Sequence, residues 1–379
     1  MLSSRKILCL LPIVGDTKDS KRIQILQDSG FEVLVVAFER NSYKARMPNA
    51  EINILAKIGN GNYLKRIFIM LKCIFLLRKF IKKSNAIYAL NQDLAIFAFI
   101  SGLGLNKPLI IDVADIREIQ TGPGIVSKIF RAIDKYITKR AALLVVTAKG
   151  FISEYYNKIL GIEIRDYILL ENKVDYKNDL RIGIKLKEFQ GEKIKIGYIG
   201  VLRDEWTLHF LKELVNKYPE KFEIVCAGIE LLKAYNVEEI CAKTPGMKYL
   251  GPFKSPDDLN NLFQQVDVIA LFYPETNTPK HWFTMRSVCN TNRFYEACYF
   301  RKPIISFSFC EDGKRVQEYS IGMALDSYNI ELNVELLQNE LTEEKIAFWN
   351  KNFMNLNEDV YYFGKEKEIM KNKITEILL

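Results

Sequence analysis

Short, almost continuous apolar runs alternate with longer segments of helical periodicity through the first half of the chain. Strands buried on both faces of a parallel sheet have such runs, and the helices between them carry apolar residues every three or four positions. The pattern predicts strands at 6–11, 31–38, 86–89, 109–113, 143–147 and 167–170. It predicts helices at 20–29, 63–83, 94–102, 127–140 and 151–160.

The same alternation resumes at Lys193, after a polar stretch with little apolar periodicity. Here the predicted strands are 194–199, 222–227, 247–250, 268–272 and 303–307. The predicted helices are 207–217, 237–243, 257–265 and 292–300. Alternating strands and helices are typical of doubly wound α/β domains.

We therefore predict two Rossmann-like domains, at 1–172 and 193–350, joined by a linker at 173–192. A helical segment at 351–379 is expected to pack back on the first domain. Ligands of such folds bind beyond the carboxyl ends of the strands, here in a cleft between the domains. Other two-lobed α/β proteins share this pattern, so the fold class alone does not identify a function.

The composition predicts a soluble, cytoplasmic protein. Of 379 residues, 49% are apolar and 26% charged, which is usual for globular proteins. The apolar run at 6–12 is too short for a signal peptide, and no run reaches the ~18 residues of a membrane-spanning helix. The 7 cysteines form no Cys-x-x-Cys pair, which favours buried reduced thiols. Because there are only 2 histidines, a histidine-rich metal centre is excluded.

The net charge of +8 is concentrated in one window. No acidic residue lies between Glu51 and Asp93, where eight lysines and arginines occur. A negatively charged partner is implied there, either phospholipid or another polyanion. No recognisable nucleic-acid-binding module accompanies the window, so nucleic acid is not expected as a partner.

The predicted helix at 63–83 has two contrasting faces. One narrow sector holds Lys65, Lys72, Lys79 and Lys83, with Phe68 and Phe75 projecting beside it. The opposite side, suited to a domain core, holds Ile67, Met70, Ile74, Leu77 and Ile81. Two interpretations remain open: a helix on the inner face of an anionic membrane, or a core helix whose phenylalanines pack beneath a loop.

The chemistry of a nucleotide site is suggested by the stretch 289–305. A helix that starts near Thr291 offers free backbone N–H groups and a positive dipole end, which suit a diphosphate. Arg293 adds a charge-assisted contact, and Glu296 lies on the same helix face, where its carboxylate can accept hydrogen bonds from both hydroxyls of a ribose. The alternative is an ordinary capped helix with an Arg–Glu surface pair.

This stretch resembles glycosyltransferase family 4, whose donor domain has a helix similar to Pro-Asn-Lys-Leu-Tyr-Glu-Tyr followed by Gly-Lys-Pro-Val-Ile. The chain has Asn-Arg-Phe-Tyr-Glu at 292–296 and Arg-Lys-Pro-Ile-Ile at 301–305. The segments 196–203, 249–253 and 267–274 also resemble the family in order and spacing. The resemblance implies the GT-B fold, two Rossmann-like domains facing across a cleft, and a UDP- or GDP-linked sugar donor. The donor-binding residues it implies are Gly200, Arg203, Phe253, Tyr273, Asn292, Arg293 and Glu296.

Three departures from the family concern the donor sugar. Val288 occupies the position of a second glutamate, and Trp206 the position of a lysine. The histidine often found in the first domain is absent, with Asn-Gln-Asp at 91–93 in that region. These changes leave open a degenerate, non-catalytic relative.

Candidate acceptor residues follow the strands of the first domain. We assign Asp115 to acceptor contact as the catalytic candidate, and Gly15, Asp16, Asp93 and Arg117 to acceptor binding. Aspartates at such positions are also common as turn and N-cap residues. The resemblance implies retention at the anomeric carbon, and without an Asp-x-Asp motif no metal is expected.

The predicted function is sugar transfer to a glycan or lipid-linked acceptor in cell-surface polysaccharide or glycoconjugate synthesis. A nucleotide-sugar 2-epimerase is an alternative on the same fold, although the scarcity of histidines argues against it. A polyanion-binding protein and a non-catalytic scaffold are the remaining alternatives.

Overall fold

The structure is a computed structural model that describes residues 5–40, 44, 46–59, 63–175, 192–202, 204–230, 236–273 and 287–379, without the side chains of 63 and 64. The chain forms two compact units. Unit 1 comprises Met1–Glu171 together with Phe363–Leu379, and unit 2 comprises Asn172–Tyr362. In the described part of the chain, no helix has the length and apolar character needed to cross a bilayer.

Unit 1 contains a parallel sheet of 7 strands in the order β3-β2-β1-β4-β5-β6-β7. Its strands are β1 Lys6–Leu11, β2 Glu32–Glu39, β3 Ile52–Lys57, β4 Ala86–Leu90, β5 Leu109–Val113, β6 Leu143–Val146 and β7 Ile168–Leu169. β4, β5 and β6 are buried along their whole length, as their apolar runs predict. β3 has no counterpart among the predicted strands, because it is an edge strand in which only Leu55 is buried.

The helices of unit 1 cover both faces of this sheet. They are Thr17–Asp28, Tyr63–Lys72, Ile74–Lys82, Gln92–Ser101, Glu118–Thr121, Ile125–Thr138, the π-helical Phe151–Ile159, and Lys365–Ile377. The last of these returns from the far end of the sequence. Its Met370 and Ile374, with Phe363 just before the helix, lie in the core together with residues of β1 and β7.

The single helix expected at 63–83 is divided at Cys73, which corrects the prediction. The N–H of Cys73 is shared between the carbonyls of Ile69 and Met70, and its thiol donates to Leu55 O of β3 at 3.8 Å. Beyond that anchor Leu77 and Ile81 are fully buried, as expected. In the helix that precedes Cys73, the predicted core face is not buried, because Ile67 is 54% exposed.

Unit 2 contains a parallel sheet of 6 strands in the order β10-β9-β8-β11-β12-β13. The strands are arranged around β8 in the same order as β3-β2-β1-β4-β5-β6 around β1 in unit 1. Its strands are β8 Ile194–Leu202, β9 Phe222–Glu230, β10 Met247–Tyr249, β11 Val268–Leu271, β12 Ile304–Phe307 and β13 Gly322–Leu325. The helices are Glu205–Lys217, Val237–Lys243, Leu259–Gln264, Asn292–Tyr299, Glu311–Tyr319, Ile330–Glu340 and Glu343–Asn355, with a 3₁₀ turn at Glu358–Val360.

The limits of the units differ from the predicted domains at both ends of unit 2. Val174 is fully buried, and its N–H donates to Tyr361 O at 2.8 Å, so the chain enters unit 2 at residue 172. The rest of the predicted linker, 176–191, lies outside the described residues. Unit 2 extends to Tyr362 instead of 350, because Phe353 and Tyr361 are buried in its core.

Candidate functional site

Two glycines bring the ends of β8 and β9 unusually close together. Gly200 has φ +127° and Gly228 has φ +136°, backbone conformations that side chains disfavour. A Cβ on Gly228 would lie 1.7 Å from Gly200 O, so only hydrogen fits there. The N–H of Gly228 donates to Gly251 O, in the loop after β10, at 2.8 Å. The backbone segments at the carboxyl edge of this sheet are therefore closely packed against one another.

Gly228→Ala is expected to lower the free energy of unfolding of unit 2 by about 3 kcal/mol, because it adds both backbone strain and a clash with the neighbouring strand. Gly251→Ala is the matched control. Its φ of +80° is strained, but a Cβ there meets nothing, so about 1–2 kcal/mol is expected. Urea unfolding followed by tryptophan fluorescence measures both, since all three tryptophans of the sequence lie within 172–362. Equal effects of the two substitutions would contradict the close approach of the strands.

The helix Asn292–Tyr299 starts at this edge and is fixed from below. Its N-cap Thr291 accepts a hydrogen bond from the N–H of Phe294 at 3.0 Å. The carboxylate of Asp312 accepts from the N–H of Thr291 at 3.0 Å and from the amide of Asn290 at 2.8 Å. Burial raises the pKa of Asp312 to about 6. The start of the helix is thus held in place by a buried carboxyl group.

Arg293 and Glu296 form a buried ion pair on this helix. Their side chains are only 14% and 3% exposed, so the alternative of a surface pair is wrong. The Arg293 guanidinium lies 5.2 Å from the ring centroid of Phe253. A Cβ on Gly200 would lie 3.4 Å from Arg293 Nε. The structure therefore brings together four of the predicted donor residues, Gly200, Phe253, Arg293 and Glu296.

The other predicted donor residues are placed less centrally or are not described. Asn292 is half-buried as the first residue of the same helix. Tyr273 is half-buried and packs against a hydrophobic cluster that contains Trp206. Arg203 lies outside the described residues.

Trp206 stands at the position where the family has a lysine, and the structure gives it a place in the core. Its indole stacks on Phe210 at 5.1 Å, and its Nε1–H donates to Tyr328 O at 2.8 Å. The helix Glu205–Lys217 that carries it is N-capped by Asp204, which accepts from the N–H of Thr207 at 2.7 Å. Because Trp206 packs inward, this position supplies no charge to the site.

In unit 1, Asp93 is paired with two arginines rather than open to an acceptor. Its carboxylate lies 2.8 Å from Arg117 and 3.4 Å from Arg66. Burial alone would raise the pKa of Asp93, but the two guanidinium groups outweigh it and the pKa is lowered. This contact brings Asp93 and Arg117 together, and Asp93 orients the arginine, while the acceptor-binding role of both residues stays a prediction.

Gly15, Asp16 and Asp115 lie in loops at the carboxyl edge of the unit 1 sheet. Gly15 has φ +94°, and Asp16 caps the helix Thr17–Asp28 by accepting from the N–H of Lys18 at 2.8 Å. Asp115 is exposed. Burial lowers the pKa of Lys18, but Asp16, Asp19 and Asp115 together raise it above its ordinary value. Asp16 and Asp115 thus both act electrostatically on one lysine.

A fully buried charged network, which was not predicted from the sequence, lies below this edge. Arg22 Nε lies 2.8 Å from the Asp112 carboxylate, which also accepts a 2.6 Å hydrogen bond from the Tyr88 hydroxyl. Arg22 further donates to Leu170 O at 2.6 Å. Burial and the Asp112 charge raise the pKa of Tyr88, so its hydroxyl stays a donor. The sequence signal for this network was Asp112, an aspartate within the otherwise apolar strand β5.

The described residues contain no group of three or more His, Cys, Asp or Glu side chains placed to hold a metal ion. The expectation of metal-free chemistry stays a prediction.

No family model matches the chain. It is 26% identical over 338 residues to the succinoglycan biosynthesis protein ExoL of Rhizobium meliloti, covering 86% of this chain and 82% of that protein. Among solved structures it is similar to Anabaena HepE in complex with UDP and glucose, with a TM-score of 0.69 at 15% identity, covering 98% of this chain and 100% of the other. The chain has the GT-B glycosyltransferase fold.

Two other proteins with this fold are named for activities that differ from each other, sugar transfer and epimerisation. The lipopolysaccharide outer core galactosyltransferase WaaB matches with a TM-score of 0.62 at 13% identity, covering 98% of this chain and 99% of the other. The putative UDP-N-acetylglucosamine 2-epimerase of Listeria monocytogenes also matches, with a TM-score of 0.62 at 12% identity. The match covers 99% of this chain and 97% of the other. The GT-B fold expected from the sequence is confirmed, and the choice between transfer and epimerisation depends on the site.

Proposed function

We propose that this protein is a glycosyltransferase that takes a sugar from a UDP- or GDP-linked donor bound by unit 2. The observation that carries the proposal is the buried Arg293–Glu296 pair at the start of a helix, beside Gly200 and Phe253. A largely buried guanidinium at the N-terminal end of a helix suits a diphosphate, and an adjacent carboxylate suits the vicinal hydroxyls of a ribose.

The likeness to ExoL and HepE supports a role in polysaccharide synthesis, with a glycan or lipid-linked acceptor. HepE binds UDP and glucose, and ExoL is a succinoglycan biosynthesis protein. We place acceptor binding in unit 1, with Asp115 and Arg117 as the contacting groups and Asp93 as the residue that orients Arg117.

In the proposed reaction, the bond between the anomeric carbon and the diphosphate breaks, and an acceptor hydroxyl oxygen forms a new bond to the same face of that carbon, which retains the configuration. The proton of the acceptor hydroxyl passes to the departing diphosphate. The departing diphosphate gains negative charge, which Arg293 and the N–H groups of the first helical turn stabilise. Trp206 carries no positive charge. Among the described residues, Arg293 is therefore the principal cation proposed to stabilise the departing diphosphate.

Because no metal site is visible in the described residues, turnover is expected to persist in excess EDTA. The measurement is release of UDP or GDP from a panel of sugar nucleotides, chosen first by thermal shift and assayed with glycan and lipid-linked acceptors. Complete loss of turnover in EDTA, with recovery on adding Mg²⁺ or Mn²⁺, would contradict the metal-free mechanism.

A 2-epimerase is the second candidate, favoured by one structure with the same fold. The two activities differ in their requirement for an acceptor. Epimerisation of UDP-N-acetylglucosamine alone, observed by NMR, would replace the transferase proposal. UDP binding with neither activity would identify a non-catalytic protein.

We also propose that the protein is peripheral on the inner membrane face, attached through the basic segment 63–83. Changing Lys65, Lys72, Lys79 and Lys83 to Gln is expected to lower binding to anionic vesicles by about tenfold or more at low salt, because each lysine contributes attraction that salt screens. The control removes equal charge from unit 2 by changing Lys212, Lys243, Lys248 and Lys254 to Gln. Co-sedimentation measures both variants, and equal loss in both would indicate attraction by net charge alone.

A further inference from the structure

The exposed apolar side chains of unit 1 are concentrated in a few helices. Between residues 67 and 136 they are Ile67, Phe68, Leu71, Phe75, Leu76, Ile100, Leu103, Ile125, Val126, Ile129, Ile133 and Tyr136. Phe75 is 78% and Ile125 70% exposed. Single exposed apolar residues are ordinary, but a concentration of this size marks a binding surface.

These side chains belong to helices on one side of the sheet. The connections β3 to β4, β4 to β5 and β5 to β6 all cross the sheet in the same direction, and right-handed crossovers place their helices on one face. The helix Ile74–Lys82 packs on Gln92–Ser101, which packs on Ile125–Thr138. The Phe99 and Tyr136 rings meet at 6.0 Å.

The helix Ile125–Thr138 is apolar on its exposed side and largely polar on its buried side. Its exposed large apolar residues Ile125, Val126, Ile129, Ile133 and Tyr136 fall within a sector of about 100°. Its buried residues are Ser127, Asp134, Ile137 and Thr138. A helix surrounded by water normally has the opposite distribution.

The helix Tyr63–Lys72 also exposes large apolar side chains. None of its side chains from 65 to 72 is buried, although Ile67, Phe68 and Leu71 are more than half exposed. Helices of this length gain most of their stability from burying an apolar face. Among the described residues, none buries this apolar face.

The charges around these side chains identify the partner. The segments 63–82 and 125–138 contain one acidic residue, Asp134, which is buried and accepts hydrogen bonds from Tyr155 and Thr138. The exposed cations on and next to these helices are Lys65, Lys72, Lys79, Lys82, Lys83, Lys128, Lys139 and Arg140. Apolar side chains bordered by cations, without acids, suit the interface of an anionic bilayer.

We propose that the helices Tyr63–Lys72, Ile74–Lys82 and Ile125–Thr138 form one membrane face and that Ile125–Thr138 inserts its apolar stripe among the lipid headgroups. This deepens the proposed peripheral attachment and adds a helix outside the basic segment. It rests on no property of the donor site.

The test is co-sedimentation with phosphatidylcholine vesicles with and without phosphatidylglycerol. Ile125→Ser/Ile129→Ser/Ile133→Ser and Phe68→Ser/Phe75→Ser are each expected to lower binding to the anionic vesicles by about tenfold or more. Phe348→Ser/Met354→Ser is the matched control, since these unit 2 side chains are 56% and 60% exposed. It is expected to bind like the parent.

Insertion is measured separately with a polarity-sensitive fluorophore on Ile129→Cys and, as control, on Phe348→Cys. A blue shift with anionic vesicles is expected for the first label only. Unchanged vesicle binding by the Ile125/Ile129/Ile133 variant, or no blue shift at residue 129, would overturn the proposal. It would also be overturned if light scattering showed a lipid-free parent dimer that the Ser variants convert to monomer. UDP affinity is measured on every variant, so failure of the donor site is seen separately from failure of the membrane face.

Discussion

Glu296→Gln is expected to weaken binding of UDP and GDP by about 10- to 100-fold, the equivalent of losing a charged hydrogen bond of roughly 1.5–3 kcal/mol. The amide retains the volume of the buried side chain but removes the negative charge, and it replaces one acceptor oxygen with a donor. The proposed ribose contact needs acceptors for two hydroxyl groups. Isothermal titration calorimetry measures the affinity, and circular dichroism establishes that the variant is folded.

The matched control for this substitution is Glu335→Gln. Glu335 is also ion-paired within unit 2, with Lys217, but it lies on the helix Ile330–Glu340 away from the glycine edge. Its variant is expected to bind both nucleotides like the parent. If Glu296→Gln also binds UDP and GDP like the parent, the ribose role of Glu296 is wrong.

Asp112→Ala is expected to lower the free energy of unfolding of unit 1 by about 3–5 kcal/mol, because it leaves the Arg22 charge buried without its partner. Both side chains are fully buried, so water cannot replace the missing carboxylate. The measurement is thermal unfolding followed by circular dichroism. Tryptophan fluorescence reports unit 2, and its transition is expected to stay in place.

Tyr88→Phe tests the same network without removing a charge. It deletes only the hydroxyl that donates to Asp112 at 2.6 Å, and about 1–2 kcal/mol is expected from the lost hydrogen bond. A smaller effect of Asp112→Ala than of Tyr88→Phe would show that the Arg22–Asp112 pair does not stabilise unit 1.

The central strands of both sheets could be predicted from sequence because burial on two faces requires an uninterrupted apolar run. β4, β6 and β11 satisfy this condition, whereas Asp112 interrupts the run in β5 and Lys195 the run in β8. The edge strand β3 does not, since only Leu55 is buried and the remaining residues follow no apolar run. The break at Cys73 was also hidden, because it depends on a contact with β3 rather than on any local helix-stopping residue.

The proposed donor site could be predicted from the sequence only where its residues lie on one helix. The spacing of Arg293 and Glu296 places them on one face, but their burial depends on Gly200 and Phe253, which come from distant segments. In unit 1, the sequence placed Asp93 at a strand end without showing that Arg66 and Arg117 would bind its carboxylate. Pairings between distant charged residues leave no periodic signal.

The helix Lys365–Ile377 also has a consequence for synthesis. On the ribosome, β1 to β7 emerge long before Phe363, Met370 and Ile374, which complete the core beside β1 and β7. Unit 2 is contiguous in the sequence, whereas unit 1 keeps an open apolar surface until Phe363–Leu379 has left the ribosome. We therefore expect the nascent chain to need protection by a chaperone until the helix Lys365–Ile377 has been made, and the unit that starts first to finish folding last.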